Sequence, residues 1–296
     1  MFFSDEGFDH QGPCIRPPSE ACSILLQATL GCSHNKCTFC ETFKKKRFAI
    51  KDRAILERDL TFAEKYCPNQ KRLFVMDGDA LIMPMKHWEW LLNNIAERLP
   101  NVERVSTYAN AKGVALKSDE ELRRLRKLGL SMIYYGVESG HPGVLLDVRK
   151  GSTPEKLVEQ GKRLKDAGIT LSITVMVGIA GVESSFAHAK KTGEVLSLID
   201  PEYVGALTLL LAPGTPLEEK ARRGEFVMPD TAGLLRETGA MIEHTTLTDG
   251  LFMANHPSNY LSIKAHLPYD KEDTLKRIRA ALSGDIPLRE EWRRAF

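Results

Sequence analysis

The chain has 296 residues, of which 43% are hydrophobic and 27% charged, with six cysteines and a formal net charge of +2. That length suits one large α/β domain or a domain with an appendage, and the composition is that of an ordinary soluble globular protein. So small a net charge gives no global reason to expect nucleic acid or an anionic membrane as partner.

No apolar stretch reaches membrane-spanning length, and Met1–Glu6 lacks the basic region and long apolar core of a secretion signal. A cytoplasmic location without membrane contact is therefore expected. Six unevenly placed cysteines are too few to form a disulfide framework in a chain of this size.

Residues 1–22 mix Gly, Pro and charge without periodicity and read as an irregular lead-in. The apolar run from Ser23 to Leu30 reads as a strand. It feeds directly into Gly31-Cys32-Ser33-His34-Asn35-Lys36-Cys37-Thr38-Phe39-Cys40, which carries three thiols at C-x4-C-x2-C spacing. Three cysteines in one short loop point to a metal, and thiolates select iron–sulfur clusters, zinc or copper(I). Three readings compete. Zinc would need His34 as a cramped fourth ligand. A plant-type ferredoxin cluster would need a distant fourth cysteine, for which Cys67 is available. A four-iron cluster held by Cys32, Cys37 and Cys40 alone would leave one iron open to an outside ligand. Cys14, Cys22 and Cys67 are singletons and read as packing residues. The basic run Lys44-Lys45-Lys46-Arg47 beside the loop reads as a solvated face, or as an attractor of an acidic electron donor or a carboxylated substrate.

Strands and helices then alternate. A helix is predicted over 52–66, with Ile55, Leu56 and Leu60 on one face, a strand over 72–76 and a helix over 85–99. A strand over 102–108 precedes Ser118-Asp119-Glu120-Glu121, a capping box that opens a helix. A strand over 132–137 is followed by Thr153-Pro154, an N-cap with a first-turn proline, and by a helix that ends at Gly168. A strand over 169–177, a helix over 186–199 and a strand over 203–211 complete the series. Near-continuous apolar strands alternating with helices imply a parallel sheet covered by helices. Periodicity alone permits a partial barrel or a doubly wound sheet.

In such folds ligands gather at the carboxyl ends of the strands. Those ends carry Asp77-Gly78-Asp79, then Tyr108 and Asn110, then Gly136-Val137-Glu138-Ser139-Gly140 with Lys150 beyond it. The last two carry Gly178-Ile179-Ala180-Gly181 and Leu211-Ala212-Pro213-Gly214-Thr215-Pro216. Read singly, the first is an Asp-Gly turn and Lys150 a solvated lysine. Residues 218–296 lie beyond the sixth strand and read as a helical and loop extension. Asn255, His256, Asn259 and Tyr260 are crowded there, either in a solvated loop or in one that closes over a substrate. Arg289–Phe296 reads as a short charged helix.

The segment Ala28–Cys40 resembles the cluster loop of the radical S-adenosylmethionine (SAM) superfamily, most of all its HemN-like and methylthiotransferase-like branch. Phe39, an aromatic just before the last cysteine, matches that pattern. The common spacing is C-x3-C-x2-C, and this loop has one residue more. Five family-like features follow in order at successive strand ends, over residues 23–217. The resemblance implies a partial (β/α)6 TIM-like barrel over 23–217, with 1–22 as lead-in and 218–296 covering the barrel mouth. It implies a 4Fe–4S cluster on Cys32, Cys37 and Cys40, and SAM on the open iron.

It further implies that Asp77-Gly78-Asp79 meets the amino end of SAM and Glu138 its ribose. Lys150 would pair with the SAM carboxylate, Gly178 would lie near adenine, and Phe39 and Leu211 would complete the cofactor contacts. Tyr108, Asn110, Asn255, His256, Asn259 and Tyr260 are the candidates for contact with substrate. A reductant such as flavodoxin or ferredoxin and a small-molecule substrate are the implied partners, with anaerobic chemistry whose class (oxidoreductase, transferase or lyase) stays open. Two other activities fit the same residues. One is a haem-binding relative with His141, His256 or His266 as axial ligand; the other is an electron carrier with Cys67 as fourth ligand.

Overall fold

A computed structural model describes residues 7–44 and 46–295. The readings made on Met1–Glu6, on Phe296 and on Lys45 of the basic run lie outside the described residues. In chain order the elements are β1 (Ile24–Leu26), β2 (Thr29–Leu30), β3 (Ala49–Ile50), α1 (Arg53–Tyr66), β4 (Arg72–Val75), α2 (Met85–Arg98) and β5 (Arg104–Ala109). Next come α3 (Ala111–Ala115), α4 (Asp119–Lys127), β6 (Leu130–Glu138), α5 (Pro142–Asp147), α6 (Pro154–Asp166), β7 (Thr170–Val177) and α7 (Gly181–Ile199). The remainder are β8 (Tyr203–Thr208), α8 (Pro216–Arg222), α9 (Thr231–Glu243), β9 (Gly250–Ala254), β10 (Ile263–Leu267) and α10 (Lys271–Leu282). One eight-stranded sheet has the order β1-β4-β5-β6-β7-β8-β9-β10, and β2 pairs with β3 in a separate ribbon. This is the α/β class expected, a largely parallel sheet of the partial TIM-like barrel kind. No helix among the described residues is long and apolar enough to cross a membrane.

The contacts divide the chain into two compact units. One holds the residues up to Asn35 with Thr42–Tyr134 and Arg163–Thr170; the other holds Lys36–Glu41, Tyr135–Lys162 and Leu171 onward.

In the first unit β1, β4 and β5 run parallel, with Leu26 opposite Val75 and Val75 opposite Thr107. Helix α1 buries Leu56, Leu60 and Ala63, spaced four and three apart as one helical face requires. The predicted capping box is present: Ser118 Oγ accepts from Glu121 N at 3.1 Å, and Glu121 Oε2 accepts from Ser118 N at 2.8 Å. The residues before β1 are more tightly bound than an irregular lead-in suggests. Gln11 N donates to Gln27 Oε1 at 2.8 Å, Asp9 N donates to Asp59 Oδ1 at 2.8 Å, and the buried Lys51 ammonium bonds Asp9.

The fully buried Glu20 is the polar centre of this unit. Its carboxylate accepts from Arg104 Nη2 at 2.8 Å, Ser106 Oγ at 2.9 Å, Tyr134 Oη at 2.6 Å and Ser23 Oγ. Burial opposes its ionisation, but these donors outweigh it and hold the carboxyl below its usual range.

In the second unit β7, β8 and β9 are parallel and β10 is antiparallel to β9, with Ala265 opposite Phe252. Strands β9 and β10 correct the expectation of helix and loop after residue 217. Their alternating burial is real, but each has only five residues and three inward side chains, too short a run to stand out in sequence.

Two boundaries also move. Helix α7 begins at Gly181 rather than 186, where Val182 N bonds Val227 O at 2.9 Å. Strand β8 ends at Thr208 rather than 211, although Leu209 N still reaches Val177 O at 2.9 Å. The tail forms only a single 3-10 turn, Glu291–Arg293.

Because the folded state binds the Glu20 proton more weakly than the unfolded chain does, this carboxylate stabilises the fold above its unfolded pKa. That contribution is lost as pH falls through the lower folded value. Glu20→Ala leaves the partly buried Arg104 without its carboxylate and is expected to cost about 2–4 kcal/mol in urea denaturation at pH 7. The gap between the variant and wild type should shrink below pH 4.5.

Candidate functional site

Strand β2 enters the cysteine loop and β3 leaves it, paired Thr29 to Ile50 and Leu30 to Ala49, so a short ribbon clasps the loop at its base. In the first unit, the segment after β4 determines where Cys32 lies. Asp77 is buried at φ 76°, in the left-handed region. Its Oδ2 accepts from Gly31 N at 2.7 Å and its Oδ1 from Gln27 Nε2 at 3.2 Å, with Lys46 Nζ 3.9 Å away. Burial pushes this carboxyl up, against those donors.

Gly78 N donates to Gly31 O at 3.1 Å, and Cys32 Sγ lies 4.0 Å from Gly78 O. A methyl group at Gly78 would stand 2.7 Å from Cys32 Cβ and 2.8 Å from the Phe43 ring. Glycine is thus favoured there by the close approach of the Cys32 side chain and the Phe43 ring.

Asp79 is also fully buried. It accepts from Ser33 Oγ at 2.5 Å, Asn110 Nδ2 at 2.8 Å and Asn110 N at 3.2 Å. Burial pushes it up to about 7, against those hydrogen bonds. Asn110 meanwhile caps α3 by accepting from Gly113 N at 2.9 Å. Asn110 is therefore spent on holding the loop rather than turned to a substrate.

Tyr108 differs. Alternation along β5 puts Arg104, Ser106 and Tyr108 on one face, where the Tyr108 ring meets Phe74 at 5.0 Å and Tyr134 at 5.9 Å.

Cys67 ends α1, ahead of β4, and lines a small cavity with Phe8, His10, Cys22 and Ile24, the last at the start of β1. Gly78, against which Cys32 lies, follows the opposite end of β4, four residues or about 13 Å away. Cys67 is thus remote from Cys32 and does not act as its fourth ligand.

In the second unit, Thr38 clips the other half of the loop. Its N donates to Val148 O at 2.9 Å and its O accepts from Leu217 N at 3.1 Å. The Thr38 Oγ1 is buried and makes no hydrogen bond among the described residues. Phe39 and Leu211 pack on an apolar cluster of Val144, Val148, Met176, Ile179, Leu209 and Leu217. The Gly214-Thr215-Pro216 turn serves this clip, since Thr215 caps α8 and so presents Leu217 N.

At the end of β6, Glu138 holds φ 64° and its Oε1 accepts from Lys150 Nζ at 2.8 Å, with both side chains nearly buried. A non-glycine residue in that region costs about 1–3 kcal/mol and persists only where the surrounding structure holds it. At the end of β7, Gly178 has φ 87°, and a side chain there would strike Met228 and Leu234.

The segment after β9 is more tied down than expected. Asn259 is buried, donates to Ala206 O at 2.9 Å and accepts from Thr208 Oγ1 at 2.8 Å, so it pins the end of β8. His256 Nδ1 lies 2.9 Å from Ser258 Oγ; Tyr260 bonds Glu291 and lies under Arg294, 4.2 Å from its ring centroid. Asn255 alone of the four is exposed. The other candidate haem ligands are engaged as well: His141 caps α5, and His266 bonds Asp249 at 2.5 Å on the surface.

Two functional-looking residues have no counterpart in the sequence reading. His188 on α7 and Glu237 on α9 are both fully buried, 3.4 Å apart, behind Glu138 and Gly178. Their signal was present: each is an ionisable residue on the apolar stripe of its helix, Glu237 with Leu234 and Met241, and His188 with Thr192 and Val195.

Comparison with known proteins agrees with these features. The family model of the radical SAM superfamily matches residues 26–185, over half of the chain. The chain belongs to the radical SAM superfamily, whose members are enzymes that use a 4Fe–4S cluster and SAM. The tRNA uridine(34) acetyltransferase of Methanocaldococcus infernus is 26% identical over 173 residues, 52% of this chain and 32% of that protein. Its namesake in Methanocaldococcus jannaschii is 24% identical over 176 residues, 53% of this chain and 32% of that protein. The match thus spans about a third of the length of those relatives. In fold, the chain is similar to the radical SAM coproporphyrinogen III oxidase HemN of Escherichia coli, at TM-score 0.53 and 16% identity over 75% of this chain and 52% of that one.

Among the described residues no three His, Cys, Asp or Glu side chains are gathered closely enough to enclose a metal ion. The fit of the loop to a cluster rests on its donor chemistry, three soft thiols in nine residues, and on the close approach of Gly78 that sets the position of Cys32. Gly78→Ala should therefore lower cluster iron after anaerobic reconstitution to under about a fifth of wild type, read by iron and sulfide assay, while the fold survives by circular dichroism. Cys67→Ala should keep the full iron content.

Proposed function

We propose that this chain cleaves SAM reductively at a cluster held by Cys32, Cys37 and Cys40, and acts on a small-molecule substrate. The observation that carries the reading is the three-thiol loop, beside which the chain also carries a strained, nearly buried Glu138–Lys150 pair at the end of β6. When bound, the cluster and SAM supply a 5′-deoxyadenosyl radical that takes a hydrogen atom from substrate.

The work of the chain is to bind and orient. Cys32, Cys37 and Cys40 would provide three thiolates to the cluster, so that one iron would remain for SAM. Glu138 accepts from the ribose hydroxyls, a task suited to a carboxylate with two oxygens and several lone pairs. Lys150 donates to Glu138 Oε1 at 2.8 Å and would also pair with the SAM carboxylate. The backbone of Gly178, with Phe39 and Leu211 on their apolar cluster, offers adenine a dry, flat surface.

Asp77 and Asp79 face inward to the loop, so we assign them to holding Cys32 and leave the backbone of Gly78 to meet the amino end of SAM. Tyr108 is the favoured substrate contact among the earlier candidates, because it lies on an aromatic face whereas Asn110 and Asn259 are committed to the fold. A reductant of the flavodoxin or ferredoxin type and a cytoplasmic setting complete the reading.

A second substrate class follows from the relatives. Two matched proteins are named for a modification of tRNA uridine, so a uridine in RNA is the alternative to a free small molecule. The net charge of +2 favours the small molecule, since RNA binding draws most of its affinity from neutralised phosphates.

The test is anaerobic reconstitution followed by SAM and dithionite, with products read by mass spectrometry. Formation of 5′-deoxyadenosine, lost in Cys37→Ala, is expected; a Cys37→Ala protein that still cleaves SAM would end the assignment. Glu138→Ala is expected to raise the Kd for SAM by about 10–100-fold, two ribose hydrogen bonds to a charged acceptor being lost. Tyr108→Phe should leave SAM affinity unchanged. A salt-dependent RNA affinity would transfer the proposal to the RNA substrate.

A further inference from the structure

Behind Glu138 and Gly178 runs a chain of hydrogen bonds with one consistent direction. His141 N donates to Ser139 Oγ at 2.9 Å, and Ser139 Oγ lies 2.8 Å from His188 Nδ1. On the other side of the ring, His188 Nε2 lies 3.1 Å from Met176 O. A carbonyl only accepts, so Nε2 carries the proton and Nδ1 is the acceptor of the Ser139 hydroxyl. Thr192 Oγ1, 3.3 Å from the same Nδ1, in turn accepts from Gly140 N at 2.9 Å. Helix α7 thereby holds the whole Ser139-Gly140-His141 turn that follows Glu138.

The other arm is Glu237. Its Oε1 accepts from Gly178 N at 2.6 Å and its Oε2 from Ser185 Oγ at 2.5 Å, while His188 Nε2 stands 3.4 Å from Oε1. Burial pushes His188 down to about 4, which keeps the ring neutral as this pattern requires, and pushes Glu237 up to about 7. A carboxyl and an imidazole with no solvent contact are costly unless every polar atom is used, and here each is tied to the backbone of a strand end.

We propose that His188 and Glu237 are positioning residues for SAM: through Ser139 and the amide of Gly178 they lock the β6 and β7 strand ends at one spacing and orientation. The proposal rests on the reading of Glu138 and Gly178 as SAM contacts. The backbone at both ends needs such support, since Glu138 holds φ 64° and Gly178 φ 87°. The left-handed conformation of the non-glycine Glu138 does not persist on local preference alone, whereas Gly178 adopts its own freely and so needs its amide held to keep one orientation. Removing either anchor lets the turn relax toward an ordinary conformation, carrying the Glu138 carboxylate and the adenine surface away from their places. Neither side chain itself touches SAM in this proposal.

The test measures SAM Kd by anaerobic equilibrium dialysis on reconstituted protein, together with hydrogen–deuterium exchange of segments 137–142 and 176–181. Glu237→Leu and His188→Leu should raise Kd about tenfold, the scale at which supporting partners act on metal-site ligands, and should lose protection in both segments at unchanged iron content. Glu237→Gln keeps an acceptor for Gly178 N and should return Kd to within about threefold of wild type. That rescue separates positioning from bulk packing, because leucine and glutamine fill similar space.

Should the leucine variants fail to fold, Ser139→Ala, which deletes one hydroxyl, decides the matter: raised Kd with faster exchange at 137–142 supports the lock. Wild-type Kd in a folded leucine variant, or in Ser139→Ala, overturns it. If Glu138→Ala also binds SAM as wild type does, the site reading itself has failed; if only Glu138→Ala weakens binding, the lock alone has failed.

Discussion

Two buried carboxylates, Asp77 and Asp79, govern where the first thiol of the metal loop can be. Each has been taken out of water at a cost that must be met by hydrogen bonds, and each meets it with donors from the loop or its neighbours: Gly31 N for Asp77, Ser33 Oγ and Asn110 for Asp79. Cys32 lies between Gly31 and Ser33, so it is held from both sides. The glycine between the two aspartates is the complement of this arrangement, since any side chain there would press on Cys32 Cβ and the Phe43 ring. A substitution in this triplet would act through the position of Cys32 even though none of the three side chains carries a thiol.

The other half of the loop is held by different means. Thr38 makes two backbone hydrogen bonds, one toward the end of α5 and one toward the start of α8, while Phe39 joins an apolar cluster. Directional bonds to the main chain fix the register of Cys37 and Cys40, and the phenyl ring contributes burial on the order of 1.5–3 kcal/mol. Nearby, the Glu138–Lys150 pair sits on strained backbone. A pair so well shielded from water is weak as a source of stability, because desolvation cancels much of the attraction. Its worth lies in placing a carboxylate and an ammonium where a ligand with hydroxyl and carboxylate groups can exchange partners with them. The turn that follows Glu138 is held by hydrogen bonds to His188 and Thr192 of α7.

The alternative readings of the sequence are weighed by position more than by chemistry. Cys67 is a good thiolate ligand in principle, but it sits before β4, with the length of a strand between it and the Cys32 end. His266 and His141 are possible haem ligands by type, yet one is paired with an aspartate on the surface and the other caps a helix. Asn259 and Asn110, conspicuous as polar residues at strand ends, spend their amides on the main chain and on Asp79.

What the amino-acid sequence determines by itself is the part governed by local spacing. Three cysteines in nine residues, the alternation of apolar strands with amphipathic helices, the Ser118–Glu121 capping box and the strand-end glycines are all set by residues a few positions apart. The series of elements and the metal loop were legible for that reason. Short strands such as β9 and β10 escaped because three inward side chains in five residues make too weak a period.

Only the tertiary structure decided which polar residues support the site and which remain available to a ligand. Asp77 and Gly31 are 46 residues apart in sequence, His188 and Ser139 are 49 apart, and Glu237 and Gly178 are 59 apart. Burial of an ionisable group becomes tolerable only when such distant donors and acceptors converge on it. No local pattern in a sequence records that convergence, because packing creates it: α7 and α9 behind the strand ends for His188 and Glu237, and the segment after β4 against the loop for Asp77.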